Sequence, residues 1–257
     1  MEQREQGSIR PASLGRALKR AFGDTYDRLG LVLGASLIWF LSISAPIMLG
    51  AQLSVLIAPV FFVLGLIAAF FLGAAVTAGV FVLAHNLVTR QDPVIGDIRA
   101  GFSELFFPAV RLALVDVIIT GVLLADIAFL FGLIGAAEIT PSPIMLMIGI
   151  LFLYLFLVWI MSMLYHFPEL VWRRSPTFTI LRRGFLLLAD NVFFTTGLLF
   201  VIILLTILCA ITFVGMAALF IGAAAVVTTS CLRELFIKYG IVEEPPEITD
   251  DGGWPGI

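Results

Sequence analysis

Between Leu29 and Thr89 the chain runs for 61 residues without an aspartate, glutamate, lysine or arginine, and a second uncharged run of 42 residues extends from Asn191 to Leu232. A helix crosses the ~30 Å hydrocarbon core of a bilayer with about 20 residues. Each run is therefore long enough for two crossings and a turn. Hydrophobic residues make up 61% of the 257-residue chain and charged residues 13%, against roughly 45–50% and about 25% in soluble domains. This composition excludes an ordinary soluble enzyme, a nucleic-acid-binding protein and a disordered chain.

Six spans are expected, at about 29–49, 55–86, 112–134, 144–165, 192–211 and 214–235. The first break is placed near Gly50-Ala51-Gln52, with Pro46 and Pro59 on either side. The segment Gly135 to Pro143 reads as a loop by its prolines, and the last turn is placed near Thr212-Phe213-Val214-Gly215. Residues 1–28 carry six basic residues and no apolar run, so a secretory signal is not expected there and the first apolar stretch reads as a retained span.

The basic residues test this count independently. Six precede the first span, three lie from Arg90 to Arg111, four from Arg173 to Arg183, and two, Arg233 and Lys238, close the last helix. The alternate connections contain none. All 15 thus fall on one side, which the positive-inside rule assigns to the cytoplasm. The expected fold is an all-α membrane protein of six transmembrane helices in three hairpins. Each hairpin is preceded by a cytoplasmic amphipathic interfacial helix, and both ends are cytoplasmic. The domain plan is a cytoplasmic arm over 1–28, a six-helix domain over 29–235 and an acidic tail over 236–257.

The segments before the odd-numbered spans resemble one another. Lys19-Arg20-Ala21-Phe22, Arg99-Ala100-Gly101-Phe102 and Arg182-Arg183-Gly184-Phe185 recur at intervals of 80 and 83 residues. Apolar residues at helical spacing face basic ones in each, and interfacial helices are placed near 94–107 and 177–190, besides the one in the N-terminal arm. Asp92-Pro93 and Ser175-Pro176 read as an N-cap followed by proline at the first helical position. Lys19, Arg20, Arg99, Arg182 and Arg183 are the candidates for contact with anionic headgroups, at about 1 kcal/mol each. The pattern predicts three parallel units.

The stretch Asp97-Ile98-Arg99-Ala100-Gly101-Phe102 through Glu104-Leu105-Phe106, and the ending Arg233-Glu234-Leu235-Phe236-Ile237-Lys238-Tyr239-Gly240, resemble the YesL-like family of bacterial integral membrane proteins over roughly residues 12–240. The family has no established activity. The resemblance implies a bacterial cytoplasmic-membrane location and an accessory role in carbohydrate uptake, with transporter subunits or a second copy as partners. It implies no catalytic residues. The Pro-x-Asp/Glu-x-x-Lys/Arg signature of mitochondrial carriers, which also consist of three hairpins, is absent.

Asp126 is the foremost chemical candidate, about 14 residues or ~21 Å into its span at 1.5 Å per residue. A carboxylate there should face the bundle interior, and a protonated Asp126 bonded to Ser42, Ser44 or Thr206 is expected. Asp126 is then either a proton or solute site, or a polar staple between helices or an acid opening to an outer water cavity. Asp116, one turn inside the basic boundary, is expected to reach the interface or an interhelical partner. His85 and His166 read as interfacial caps, although with Glu169 and Asp92 they are the only set that could serve a lipid-modifying enzyme. Cys209 and Cys231 read as small buried apolar residues. No metal or cofactor signature is present: neither a Walker lysine nor an HExxH or GxSxG motif occurs.

Overall fold

A computed structural model describes residues 12–133, 142–212 and 214–243. The tail beyond 243, the arm before 12 and most of the Gly135–Pro143 loop lie outside the described residues. Helices alone form the described fold: α1 (Leu14–Asp27), α2 (Leu29–Leu56), α3 (Val60–Thr89), α4 (Gly96–Leu130), α5 (Pro143–Met163), α6 (His166–Arg173), α7 (Thr177–Asp190), α8 (Val192–Ile211), α9 (Val214–Ala218) and α10 (Phe220–Lys238). Six stretches are long and apolar enough to cross a membrane: α2, α3, α4, α5 continued through α6, α8 and α10.

Several boundaries differ from the sequence expectation, for physical reasons. α2 continues through Pro46 and Gly50 to Leu56. Gly50 is a crossing point and not a turn: a Cβ built on it would lie 2.9 Å from the Cα of Gly65 in α3. The interfacial helix near 94–107 and the span from 112 are one continuous helix, α4, with Pro108 inside it. Proline interrupts a helix less where neighbouring helices hold it. Asp92 does not cap α4; it adopts a left-handed backbone (φ 42°), and Asp97 instead accepts from the Val94 amide at 3.0 Å. Pro176 occupies the N-cap position of α7. The last hairpin is broken at Leu219, so the final span begins at Phe220.

The core is built around α10, which is buried along most of its length. Its sequence Gly222-Ala223-Ala224-Ala225 and Thr228-Thr229-Ser230 explains why. Lipid tails are as apolar as leucine, so helices in a bilayer associate where small residues let backbones close in. A Cβ on Gly222 would come 2.6 Å from the Val32 carbonyl of α2, and the Gly222 amide donates to Ser36 Oγ at 3.0 Å. The small residue of each recurring four-residue segment is likewise buried. Ala21 is fully buried on α1, which packs mainly against α10. A Cβ on Gly101 would lie 2.8 Å from the Gly79 Cα of α3, and one on Gly184 would lie 3.0 Å from His166 Cδ2. The outer faces of α2, α5 and α8 expose leucine, isoleucine and phenylalanine in quantity, as lipid-facing surfaces do.

Two glycine variants test this packing. Gly222→Ala should lose about 1–3 kcal/mol, because an added methyl meets a backbone carbonyl. Gly23→Ala, with nothing within 4 Å of the new Cβ, should gain about 0.5–1 kcal/mol from helix propensity. Reversible unfolding in mixed micelles measures both.

Candidate functional site

The charged residues gather at one end of the bundle, and three carboxylates there, of Asp116, Glu169 and Glu234, are answered across helix boundaries. Asp116 of α4 is 3% exposed and accepts from His166 Nδ1 at 2.9 Å. The other ring nitrogen, Nε2, lies 3.1 Å from Ser162 Oγ. With Nδ1–H donated to the carboxylate, Nε2 is left to accept from the Ser162 hydroxyl. Glu169 of α6 receives Arg183 of α7 at 3.1 Å and Arg173 at 3.5 Å. Glu234 of α10 receives Arg16 of α1 at 2.8 Å and the Ser13 amide at 3.3 Å. Arg233 donates to the Val88 carbonyl at 2.8 Å.

The Ser162–His166–Asp116 line has the connectivity of a hydrolase triad, yet it is sealed. Ser162 and His166 are 0% exposed, and Gly184 of α7 lies so close over them that even a methyl group would touch the imidazole. An acyl substrate must reach the nucleophile and an oxyanion donor together. This geometry admits neither, and the line acts as a polar clamp joining α4 to the α5–α6 segment.

Asp116 also borders a cleft of about 420 Å³. α3 is set back between α2 and α4, and its Ala69, Gly73 and Thr77, four residues apart, form the floor. Trp39 and Ile43 of α2 form one wall, and Val117 of α4 with Phe167 form the other. The polar atoms of the wall are already engaged: Trp39 Nε1 donates to Thr77 Oγ1 at 2.8 Å, and that hydroxyl donates to the Gly73 carbonyl at 2.7 Å. The cleft is therefore apolar except for the Asp116 carboxyl.

The other sequence candidates are placed differently from expectation. Asp126 is half-buried on α4, a helix whose main packing partners are α3, α5, α6 and α7. No hydrogen bond joins it to Ser42, Ser44 or Thr206. Ser42 donates instead to the Trp39 carbonyl and Thr206 to the Ile202 carbonyl, each on its own helix. Matching depth along separate spans did not make these groups neighbours. Tyr154, 66% exposed on α5, lies at a depth similar to Asp126 by the antiparallel register that pairs Trp159 with Thr120 and Gly149 with Phe131. Among the headgroup candidates, Lys19, Arg99 and Arg182 are exposed. Arg183 is half-buried and committed to Glu169 and Ser175. Arg20 is half-buried near Asp24.

The set His85, His166, Glu169 and Asp92 does not converge. His85 rests edge-on against Trp172 at 4.5 Å, while His166 and Glu169 are held by the partners above. Among the described residues no three histidine, cysteine, aspartate or glutamate side chains are grouped to hold a metal. The pairing of Asp116 with His166 was the feature that sequence reasoning missed, although a signal existed. Both residues lie slightly inside the basic boundary, Asp116 five residues after Arg111 and His166 seven before Arg173. Glu169 and Glu234 carry a signal too, each opening a Glu-Leu-x-x-Arg/Lys run at the basic end of a span.

The chain is a multi-pass membrane protein. No protein-family model, curated protein or solved structure matches it.

Two measurements follow from these contacts. Asp116→Leu strands a buried histidine and should cost about 3 kcal/mol, whereas Asp116→Asn retains an acceptor for His166 Nδ1 and should cost clearly less; unfolding in mixed micelles reads both. In α1, burial raises the Asp24 carboxyl above its ordinary 3.8, against the lowering fields of Arg90, Arg20 and Arg233. A raised carboxyl favours the fold when protonated and loses that contribution as pH climbs through its folded value. Asp24→Asn should therefore raise the melting temperature at pH 7, with the gain disappearing in acid.

Proposed function

We propose that this protein is a non-catalytic membrane subunit that assembles with a transport system, and that the cleft beside Asp116 receives a transmembrane helix of its partner. The observation that carries this reading is a buried carboxyl on the wall of an otherwise apolar cleft whose floor is Ala69, Gly73 and Thr77. Ile43 of α2 already lies over Gly73, 2.9 Å from a Cβ built there, so a partner helix packs on the apolar side chains of the cleft walls and not on the α3 backbone. A carboxyl at membrane depth gives such a helix a polar contact worth making, and it favours a partner carrying a basic or hydroxyl side chain there. The half-buried Asp126 and the exposed Tyr154 add a second polar spot on the α4–α5 surface, where a further copy or subunit could contribute hydrogen bonds. The likeness to YesL-like proteins adds the expectation that the transport system takes up carbohydrate in a bacterial cytoplasmic membrane, with both ends of the chain in the cytoplasm. The three similar segments before α2, in α4 and in α7 are read as descendants of one interfacial-helix-plus-hairpin unit.

A second reading is favoured by the Asp116 carboxyl on the wall of the cleft: a small-solute or proton-coupled carrier. The two differ in what the isolated protein does. A carrier moves solute or protons when reconstituted alone, whereas a subunit does so only with its partner.

Val117 is 57% exposed and lines the cleft, so Val117→Trp should fill it without disturbing the core. Affinity purification in mild detergent should recover a transport component with the wild type and lose it about tenfold or more with Val117→Trp at unchanged melting temperature. Equal recovery with both proteins would sink the assembly reading.

A further inference from the structure

A different cavity, of about 360 Å³, lies at the basic end between the end of α1, the start of α2 and the end of α3. Its polar wall is Asp24, Asp27, Arg28, Arg90 and Asp92. It has room for about a dozen waters at ~30 Å³ each, more than the bulk of a phosphoethanolamine group. Arg28 immediately precedes the first span and Arg90 immediately follows the second. The cavity therefore sits where two helices leave hydrocarbon, at headgroup depth. Phe22 and Tyr26, 68% and 80% exposed on the outer face of α1, belong to the aromatic population of that same layer.

We propose that this cavity binds the phosphoethanolamine headgroup of a membrane lipid. The charges on its wall are of both signs, and among the described residues no direct ion pair joins one of them to another. Among the described residues the ion pairs join Arg16 to Glu234, His166 to Asp116, Arg173 and Arg183 to Glu169, and Arg174 to Glu104. Arg28 and Arg90 form none. Asp24 Oδ2 is removed from solvent and has no hydrogen-bond partner. Burial raises this carboxyl against the lowering fields of Arg90, Arg20 and Arg233. Two of the three residues from Arg90 to Asp92 hold left-handed backbones, φ 58° and 42°. Arg90 is the left-handed C-cap of α3, its amide donating to the Leu87 carbonyl at 3.3 Å, and this turn sets Arg90 and Asp92 at the cavity rim.

The chemistry follows from what the wall offers. Guanidinium groups take a phosphate diester through charge-assisted, often bidentate hydrogen bonds. The carboxylates of Asp24, Asp27 and Asp92 accept from a primary ammonium, which has N–H groups to give. A choline headgroup has none and is recognised by aromatic cages, and no aromatic side chain lines this cavity. A glycerol headgroup brings a phosphate but no cation, and so meets three carboxylates unanswered. This site is independent of the Asp116 cleft and of the assembly reading.

The test uses the full chain in mild detergent, titrated with phosphatidylethanolamine, phosphatidylcholine or phosphatidylglycerol of identical acyl chains and read by native mass spectrometry. Phosphatidylethanolamine should bind roughly tenfold more tightly than either of the others. Arg90→Gln and Asp92→Asn should each erase most of that preference, while Arg174→Gln, on the Glu104 pair, should leave it unchanged. Equal binding of the three lipids by the wild type would overturn the proposal, whatever the variants do. Full retention of the preference in Arg90→Gln, at unchanged melting temperature, would overturn it as well. Soluble glycerophosphoethanolamine binding as tightly as the lipid would remove the membrane as the source of the ligand.

Discussion

A carboxylate taken out of water must be answered by a donor, and at the basic end of this bundle the donors come from other helices. Asp116 is held by His166, Glu169 by Arg183 and Glu234 by Arg16. Each of these links fastens one helix to another: α4 to α6, α6 to α7, α10 to α1. The last ties the final span to the first described helix, so the ends of the fold are joined as well as its middle. In a weakly polar interior such pairs add little net stability over apolar packing, but breaking one leaves a stranded charge. Their main effect is therefore to specify which helix lies beside which, a task that apolar surfaces in lipid perform poorly.

Close packing makes those links geometrically possible. Glycine and alanine at the crossings of α2 with α3, α3 with α4 and α2 with α10 bring backbones near enough for side chains to meet. The same small residues have a second consequence. Where α3 presents Ala69, Gly73 and Thr77 between α2 and α4 and no further helix covers them, close packing leaves a cleft. A feature that builds the core on one side of α3 thus leaves an apolar cleft on the other.

The distinction between engaged and unengaged charge organises the functional reading. The Ser162–His166–Asp116 line carries reactive residue types, yet it is closed over by Gly184 and committed to holding helices together. Arg28, Arg90 and Asp24 include no nucleophile, yet they surround open space, and among the described residues no direct ion pair joins them. Residue type alone would rank these two groups in the opposite order. Accessibility and partnering reverse it.

The all-α class and the count of six apolar helices were written in the chain itself, because long uncharged runs can escape water only as helices in lipid. The gathering of the basic residues at one end was equally visible, since hydrocarbon excludes them from everything between. Breaks were less visible. Gly50 reads as a turn and is a helix crossing, and the interfacial helix near 94–107 reads as separate from the span at 112 and is continuous with it in α4, because a neighbouring helix decides whether a weak point bends. Pairing was the least visible of all. Depth along a span can be counted from sequence, but the direction in which a side chain points around the bundle cannot. Asp126 was therefore assigned hydroxyl partners on helices that are not the main packing partners of α4, while Asp116 and His166, fifty residues apart, were brought into contact only by the order in which α4, α5 and α6 pack.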